Sequence, residues 1–196
     1  MKSAARLVLN TLGLLFASPF ILLALFGLHV LRSERFYFDA AYALAIIPGF
    51  AGFAVRRAFY WSVLPTSHWD LGIDFGSVIT HPTTIVGRNI YIGTYSLIGR
   101  CHIGDNVQIG SRVSILSGRG QHKFHDTDNA RFGEMRFQEI LLGENSWVGE
   151  ASVVMADLGK GCGVGAGSVV VHAVPDGTIV AGNPAQPIGV RGRPAD

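Results

Sequence analysis

A branched aliphatic residue recurs every six positions through much of this chain. Val86, Ile92, Ile98, Ile103, Ile109 and Ile115 follow one another at steps of 6, 6, 5, 6 and 6. Leu142, Val148, Val154, Leu158, Val164 and Val170 follow at 6, 6, 4, 6 and 6. Nine of the twelve are followed directly by glycine, in a chain with only 25 glycines among 196 residues. A helix face would repeat every 3.6 residues and a half-buried strand every two. A period of six fits a triangular coil of three short flat strands, with the aliphatic residue pointing inward and stacking on its equivalent one coil along. The glycine is expected to supply the positive φ of a tight corner. Such coils bury nothing alone and are stable only as a stack. Ile73 and Ile79, six apart, mark a degenerate first coil over 71–82.

The repeat stops between Ile115 and Leu142. The insertion, about 117–139, carries His122 and His125. A rigid scaffold with one long polar excursion is the usual arrangement of a site. A second departure is the four-residue step from Val154 to Leu158, where two residues are missing around 155–157. It predicts a tightened or bulged coil.

Several segments together carry a family resemblance: Gly143-Glu-Asn-Ser-Trp147-Val-Gly149, Val164-Gly-Ala-Gly-Ser-Val-Val170, Val174-Pro175 and Ala181-Gly-Asn-Pro-Ala185. They resemble the hexapeptide-repeat acyltransferases, above all the galactoside, maltose, streptogramin and exopolysaccharide O-acetyltransferases. The resemblance covers roughly 70–190. It implies an all-β fold, a left-handed parallel β-helix of hexapeptide repeats with one long inserted loop. It also implies a homotrimer with acetyl-CoA as co-substrate in the groove between subunits, and no metal. CoA would then lie against Trp147, Gly149, Gly165, Ala166, Ser168 and Asn183. Trp147 either lines the pantetheine arm or packs between coils. Arg191 or Arg193 would meet a CoA phosphate, or form an ordinary basic tail.

The family carries its catalytic histidine at the start of the loop. Here that makes His122 the first choice for the general base and His125 the second; in the plainer reading both are solvated loop residues. A neutral imidazole would accept the proton of a substrate hydroxyl as its oxygen attacks the thioester. Asp126, Glu134 and Glu139 are candidates to orient the base. His81, His102 and His172 lie in or beside coils and read as structural. Cys101 and Cys162 are far apart and match neither a disulfide framework nor a zinc spacing. They read as small buried fillers in a reducing compartment.

Composition matters most at the N-terminus. The chain is 48% hydrophobic and 15% charged, with a formal charge of +2 and no basic stripe, which argues against a nucleic-acid partner. The excess of apolar residues lies in the first 64. From Leu7 to Leu31 there are 25 residues without Asp, Glu, Lys or Arg, more than the ~20 that cross a bilayer. A second apolar stretch, Phe36–Val55, is broken by Pro48-Gly49; it is expected to return across the membrane, dip into it or lie along it, or to pack on the domain. The chain therefore divides into an apolar helical membrane-associated segment (1–64), the β-helix domain (65–190) and a short polar tail (191–196).

The resulting expectation is an O-acetyltransferase at the cytoplasmic face of the inner membrane, acting on a hydroxyl of a sugar or polysaccharide precursor. Two other classes remain: a non-catalytic β-helix scaffold at a membrane, and a metalloenzyme resembling the γ-class carbonic anhydrases.

Overall fold

The computed structural model describes residues 2–118 and 137–191, with side chains from residue 7 onward. Three helices precede the coils: α1 (Lys2–His29), α2 (Arg35–Ala45) and α3 (Gly49–Val63). After them come short strands that pair in parallel with the strand one coil away, ending in an antiparallel hairpin of Thr178–Gly182 and Ala185–Val190.

The coils form a three-faced prism. On the first face Ile73, Ile92, Ile109, Val148, Val164 and Val180 stack in register. On the second, Ile79, Ile98, Ile115, Val154 and Val170 do so. On the third the stack is Val86, Ile103, Leu142, Leu158 and Val174. All twelve aliphatic residues of the sequence repeat are buried, at 0 or 1% exposure. They form one core, so removing any of them would leave a cavity rather than a surface dent.

The conformational demand falls on a different residue from the one expected. The positive φ sits three residues after the aliphatic: at Asn89, Asn106, Asn145, Gly161 and Gly177 on the edge from the third face to the first, and at Gly76, Tyr95, Arg112, Ala151 and Gly167 on the edge from the first to the second. The glycine immediately after the aliphatic has another task, because there the coils touch backbone to backbone. A Cβ on Gly110 would lie 2.8 Å from the amide nitrogen of Glu150 in the next coil, and one on Gly93 only 2.7 Å from the carbonyl carbon of Gly110. At several corners a small buried residue fills the position four after the aliphatic. There the Ser96, Ser146 and Ser152 hydroxyls donate to the carbonyls of Gly110, Gly159 and Gly165, each at 2.9 Å.

The second apolar stretch is not one continuous helix but α2, a turn and α3, which close the first coil. Tyr37 Oη donates to the Ile79 carbonyl (2.8 Å), and the Ile79 N–H donates to Tyr60 Oη (3.0 Å). Buried Arg56 donates from Nε to the Ile73 carbonyl (3.1 Å) and from Nη1 to the carbonyls of Leu44 and Ile47 at the end of α2 (3.2 and 2.7 Å). A cation there also opposes the negative end of the helix dipole. The helix α3 ends at Val63, and the buried core runs on from it into the coils without a break. Among the described residues α1 is the one helix long and apolar enough to cross a membrane.

The backbone contact at the glycines is testable. Gly110→Ala should cost about 1–3 kcal/mol, since the neighbour it meets is backbone and cannot swing away. Gly189→Ala, whose Cβ would meet nothing within 4 Å, should stay within about 0.5 kcal/mol of the parent. Denaturant unfolding of the two variants measures the difference.

Candidate active site

One edge of the prism departs from the repeat. The step from the third face to the first is six residues in every coil, and so is the step from the first to the second. From the second face to the third it runs 7 (Ile79 to Val86), 5 (Ile98 to Ile103), 27 (Ile115 to Leu142), 4 (Val154 to Leu158) and 4 (Val170 to Val174). The inserted loop and the four-residue step thus share one edge. The missing residues at 155–157 do not distort the stack: the next coil is shortened identically, and Leu142, Leu158 and Val174 bridge in parallel.

A groove of ≈480 Å³ runs along this edge. Gln138 and Ile140, where the chain returns from the insertion, form one wall; Met155, Ala156 and Asp157 and then Val171, His172 and Ala173 form the rest. The short steps create it, because two shortened coils stand below the stem of a long one. The stem is pinned: the Gln138 N–H donates to the Ser117 carbonyl (3.0 Å), and the Arg100 N–H donates to Ser117 Oγ (2.8 Å). Asp157 accepts the Leu141 N–H (2.8 Å). His172 is exposed in the groove rather than packed among coils. It sits inside the second four-residue step, two residues before Val174.

His122, His125, Asp126 and Glu134 lie outside the described residues, as does Arg193. Glu139 faces Arg100 across 3.7 Å as an exposed ion pair. Such pairs contribute little, so Glu139 remains free to change partner. His81 is half-buried on the same edge, its ring 4.7 Å from that of Phe137 beside the stem. Burial pushes its pKa below the ordinary 6.5; Arg100 adds to that shift and Glu34 opposes it. His102 is exposed on the third face, in register with Ile85 and Leu141.

The residues expected to hold CoA occupy a different edge. Gly149, Gly165 and Ala166 follow the first-face stack, and Asn183 sits in the closing hairpin, in a cis peptide bond with Pro184. Trp147 lies on the first face, 48% exposed, beside Gly163 of the next coil; it lines a surface and does not pack between coils. Ala166 and Asn183 are exposed, whereas Ser168 is fully buried and its hydroxyl accepts the Gly182 N–H (3.1 Å). Ser168 fills the same corner position as Ser146 and Ser152, so its side chain supports that edge from behind. Arg191 donates to the carbonyl of Asn145. Cys101 and Cys162 are buried fillers, and burial raises both thiol pKa values.

No family model matches the chain. Among curated proteins it is 33% identical over 124 residues to a serine acetyltransferase of Bacillus pumilus, covering 61% of this chain and 51% of the relative. It is 32% identical over 112 residues to the galactoside O-acetyltransferase of Escherichia coli, covering 53% and 52%. The chain thus spans about half the length of these relatives. Among solved structures it superposes on a maltose O-acetyltransferase from Clostridium difficile with a TM-score of 0.73 at 20% identity, over 84% of this chain and 90% of that one. It also superposes on an N-acyltransferase from Bacillus cereus in complex with dTDP-4-amino-4,6-dideoxyglucose and coenzyme A, with a TM-score of 0.51 at 21% identity over 63% and 71%. These superpositions show the fold to be the left-handed β-helix that the sequence resemblance implied.

The shifted histidine gives a pH prediction. An imidazole whose folded pKa is depressed resists a proton that the unfolded chain takes up near pH 6.5, so the folded state loses stability as pH falls below that value. His81→Gln removes the titration. Between pH 7.5 and 5.5 the variant should lose less in Tm than the parent; parallel Tm curves would refute the assignment.

Proposed function

The homologues of this chain are members of the hexapeptide-repeat acetyltransferase family, and on that premise we propose that it is an acetyl-CoA-dependent O-acetyltransferase acting on a hydroxyl of a sugar or polysaccharide precursor. The observation that carries the reading is the irregular edge: one column of the prism holds the insertion with His122 and His125, its pinned stem and the ≈480 Å³ groove.

The chemistry is a direct transfer. His122, or His125 in its place, accepts the proton of the acceptor hydroxyl as that oxygen bonds to the thioester carbonyl carbon. A backbone N–H at a coil corner stabilises the tetrahedral oxyanion. The intermediate collapses by breaking the carbon–sulfur bond, and the imidazolium returns its proton to the departing thiolate. The products are an acetyl ester and free CoA. A cysteine nucleophile is unsuited, because both thiols are buried and held protonated.

The CoA-binding residues Gly149, Gly165, Ala166 and Asn183, with Ser168 behind them, run along the first-to-second edge, and Trp147 lies on the first face beside it. The histidine loop leaves from the second-to-third edge. Separate edges favour a homotrimer, in which the loop edge of one subunit faces the CoA edge of its neighbour and the site is complete only between them. The sugar acceptor is supported by the galactoside and maltose enzymes among the relatives and neighbours. A serine acceptor, after the Bacillus relative, is the competing reading. We place the protein at the inner membrane, attached through residues 1–64, with the β-helix in the cytoplasm where acetyl-CoA is made.

Purified protein with acetyl-CoA and panels of sugars, nucleotide sugars and L-serine decides the acceptor by release of free thiol. Replacing the general base, His122→Ala or His125→Ala, should lower kcat by about 10²–10⁴-fold, with the other variant affected less. Trp147→Ala should raise KM for acetyl-CoA and leave KM for the acceptor near its parent value. Transfer undiminished in both histidine variants would exclude this mechanism.

A further inference from the structure

The N-terminal helices form a layered arrangement that bears on how the protein meets a membrane. Gly13 of α1 approaches the backbone of Ala54 in α3, and Gly27 approaches Phe36 in α2; a Cβ at either glycine would overlap its neighbour. Ala17 and Ala24, on the same face, are completely buried. The helix therefore rests along α2 and α3 for fourteen residues, about 21 Å at 1.5 Å per residue. Those two helices in turn bind the first coil through Tyr37, Arg56 and Tyr60. The order of layers is coil, then α2 and α3, then α1.

The opposite face of α1 is open and apolar. Val8, Leu12, Leu15, Leu22 and Phe26, with Val30 one residue past the helix end, recur every three, four or seven residues, and each is 46–68% exposed. No charged residue interrupts the surface between Leu7 and Leu31. Soluble monomers rarely expose so large a continuous apolar patch.

From this layering, and resting on the membrane association proposed above, we infer that α1 lies in the plane of the bilayer interface, open face down, and does not cross the membrane. A crossing α1 would carry its neighbours with it. Over roughly 21 Å of a hydrocarbon core about 30 Å thick, α2 with Arg35 and Asp39, and beyond it the first coil with Asp70 and Asp74, would stand beside lipid. Charged groups at that depth are costly, and so are the unpaired polar groups of a coil edge. An in-plane α1 buries only its apolar face and keeps α2, α3 and every coil on one side.

Charge placement agrees. Lys2 and Arg6 precede the apolar run, and Arg32 and Arg35 follow it. In plane, the two flanks stay on one side of the bilayer, where an anionic leaflet attracts cations. A single crossing would place them on opposite sides, against the bias of cations toward the cytoplasm. The occupant of the open face is therefore the headgroup–acyl boundary of an anionic bilayer.

The experiment uses the full chain with vesicles of phosphatidylcholine and phosphatidylglycerol. Both native cysteines are buried, so Val8→Cys, Leu15→Cys, Leu22→Cys and Val30→Cys, all at exposed positions, accept a nitroxide selectively. Label depth is read from relaxation by oxygen and by a water-soluble nickel chelate. The in-plane arrangement gives four similar, shallow depths, about 5–10 Å below the headgroups. Depth greatest at Leu15 and Leu22 and near zero at Val8 and Val30 shows a crossing helix and overturns the inference while the membrane reading survives. Failure to sediment with vesicles, with labels already immobilised in solution, means a second copy covers the face; the inference and the membrane reading then fall together.

Discussion

Successive coils of this protein touch backbone to backbone along their corners, at separations too short for a Cβ, and the rest of the architecture follows from that contact. It fixes glycine after most of the core aliphatics, because any other residue would wedge the stack open. It fixes the vertical register, so that each aliphatic lands on its equivalent and is sealed. It also leaves the corner little room, which a single left-handed residue three positions on then turns. Where that residue is Asn or Gly the conformation comes at little cost. At Tyr95, Arg112 and Ala151 it is imposed by the stack, and those corners are held by packing rather than by preference.

Two edges obey this rule in every described coil and the third does not. The asymmetry is what makes a site possible. A prism regular on all edges offers no concavity, since each coil has the outline of the next. Varying the residue count on one edge alone leaves the inner stacks untouched, as the unbroken Ile79, Ile98, Ile115, Val154, Val170 ladder demonstrates. The outline changes while the core does not. A 27-residue excursion and two four-residue steps therefore coexist with a core in which the stacked aliphatics stay buried, and the groove lies where long and short edges meet.

The repeat was legible in the sequence because it is a rule about the core: twelve aliphatic residues named from spacing alone are twelve buried residues. The reason assigned to the following glycines was not legible. Close approach and positive φ leave the same letter in a sequence, and only the position of Asn89, Asn106 and Asn145 three residues after the aliphatic separates the two. The fate of Phe36–Val55 was hidden for a different reason. Hydropathy scores a helix that caps an apolar core and a helix that enters lipid alike. The telling residue is Arg56, which hydropathy counts as a charged flank and which the fold buries as a hub for carbonyls. For the site, the place where the repeat is interrupted could be read from the broken period. The groove-lining place of His172 and the supporting role of Ser168 could not, because each depends on which residues stack across coils.

A β-helix has two open ends, and each must be closed because an exposed terminal coil presents both an apolar interior and unpaired backbone groups. The C-terminal end is closed by the hairpin of Thr178–Gly182 and Ala185–Val190, which runs antiparallel where every preceding pairing is parallel. At the N-terminal end side chains do the work of a missing strand. Tyr37 and Tyr60 pair both polar groups of Ile79, Arg56 takes the carbonyl of Ile73, and Arg57 donates to that of Leu71 at 2.7 Å. Helices that must satisfy a coil on one face can no longer bury their other face in it. The small residues of α1 let it settle there, and they move the exposed apolar surface outward by one layer without removing it. The apolar N-terminus is thus one device with two consequences: it ends the stack, and it presents at the base of the prism a surface that only lipid or another protein can cover.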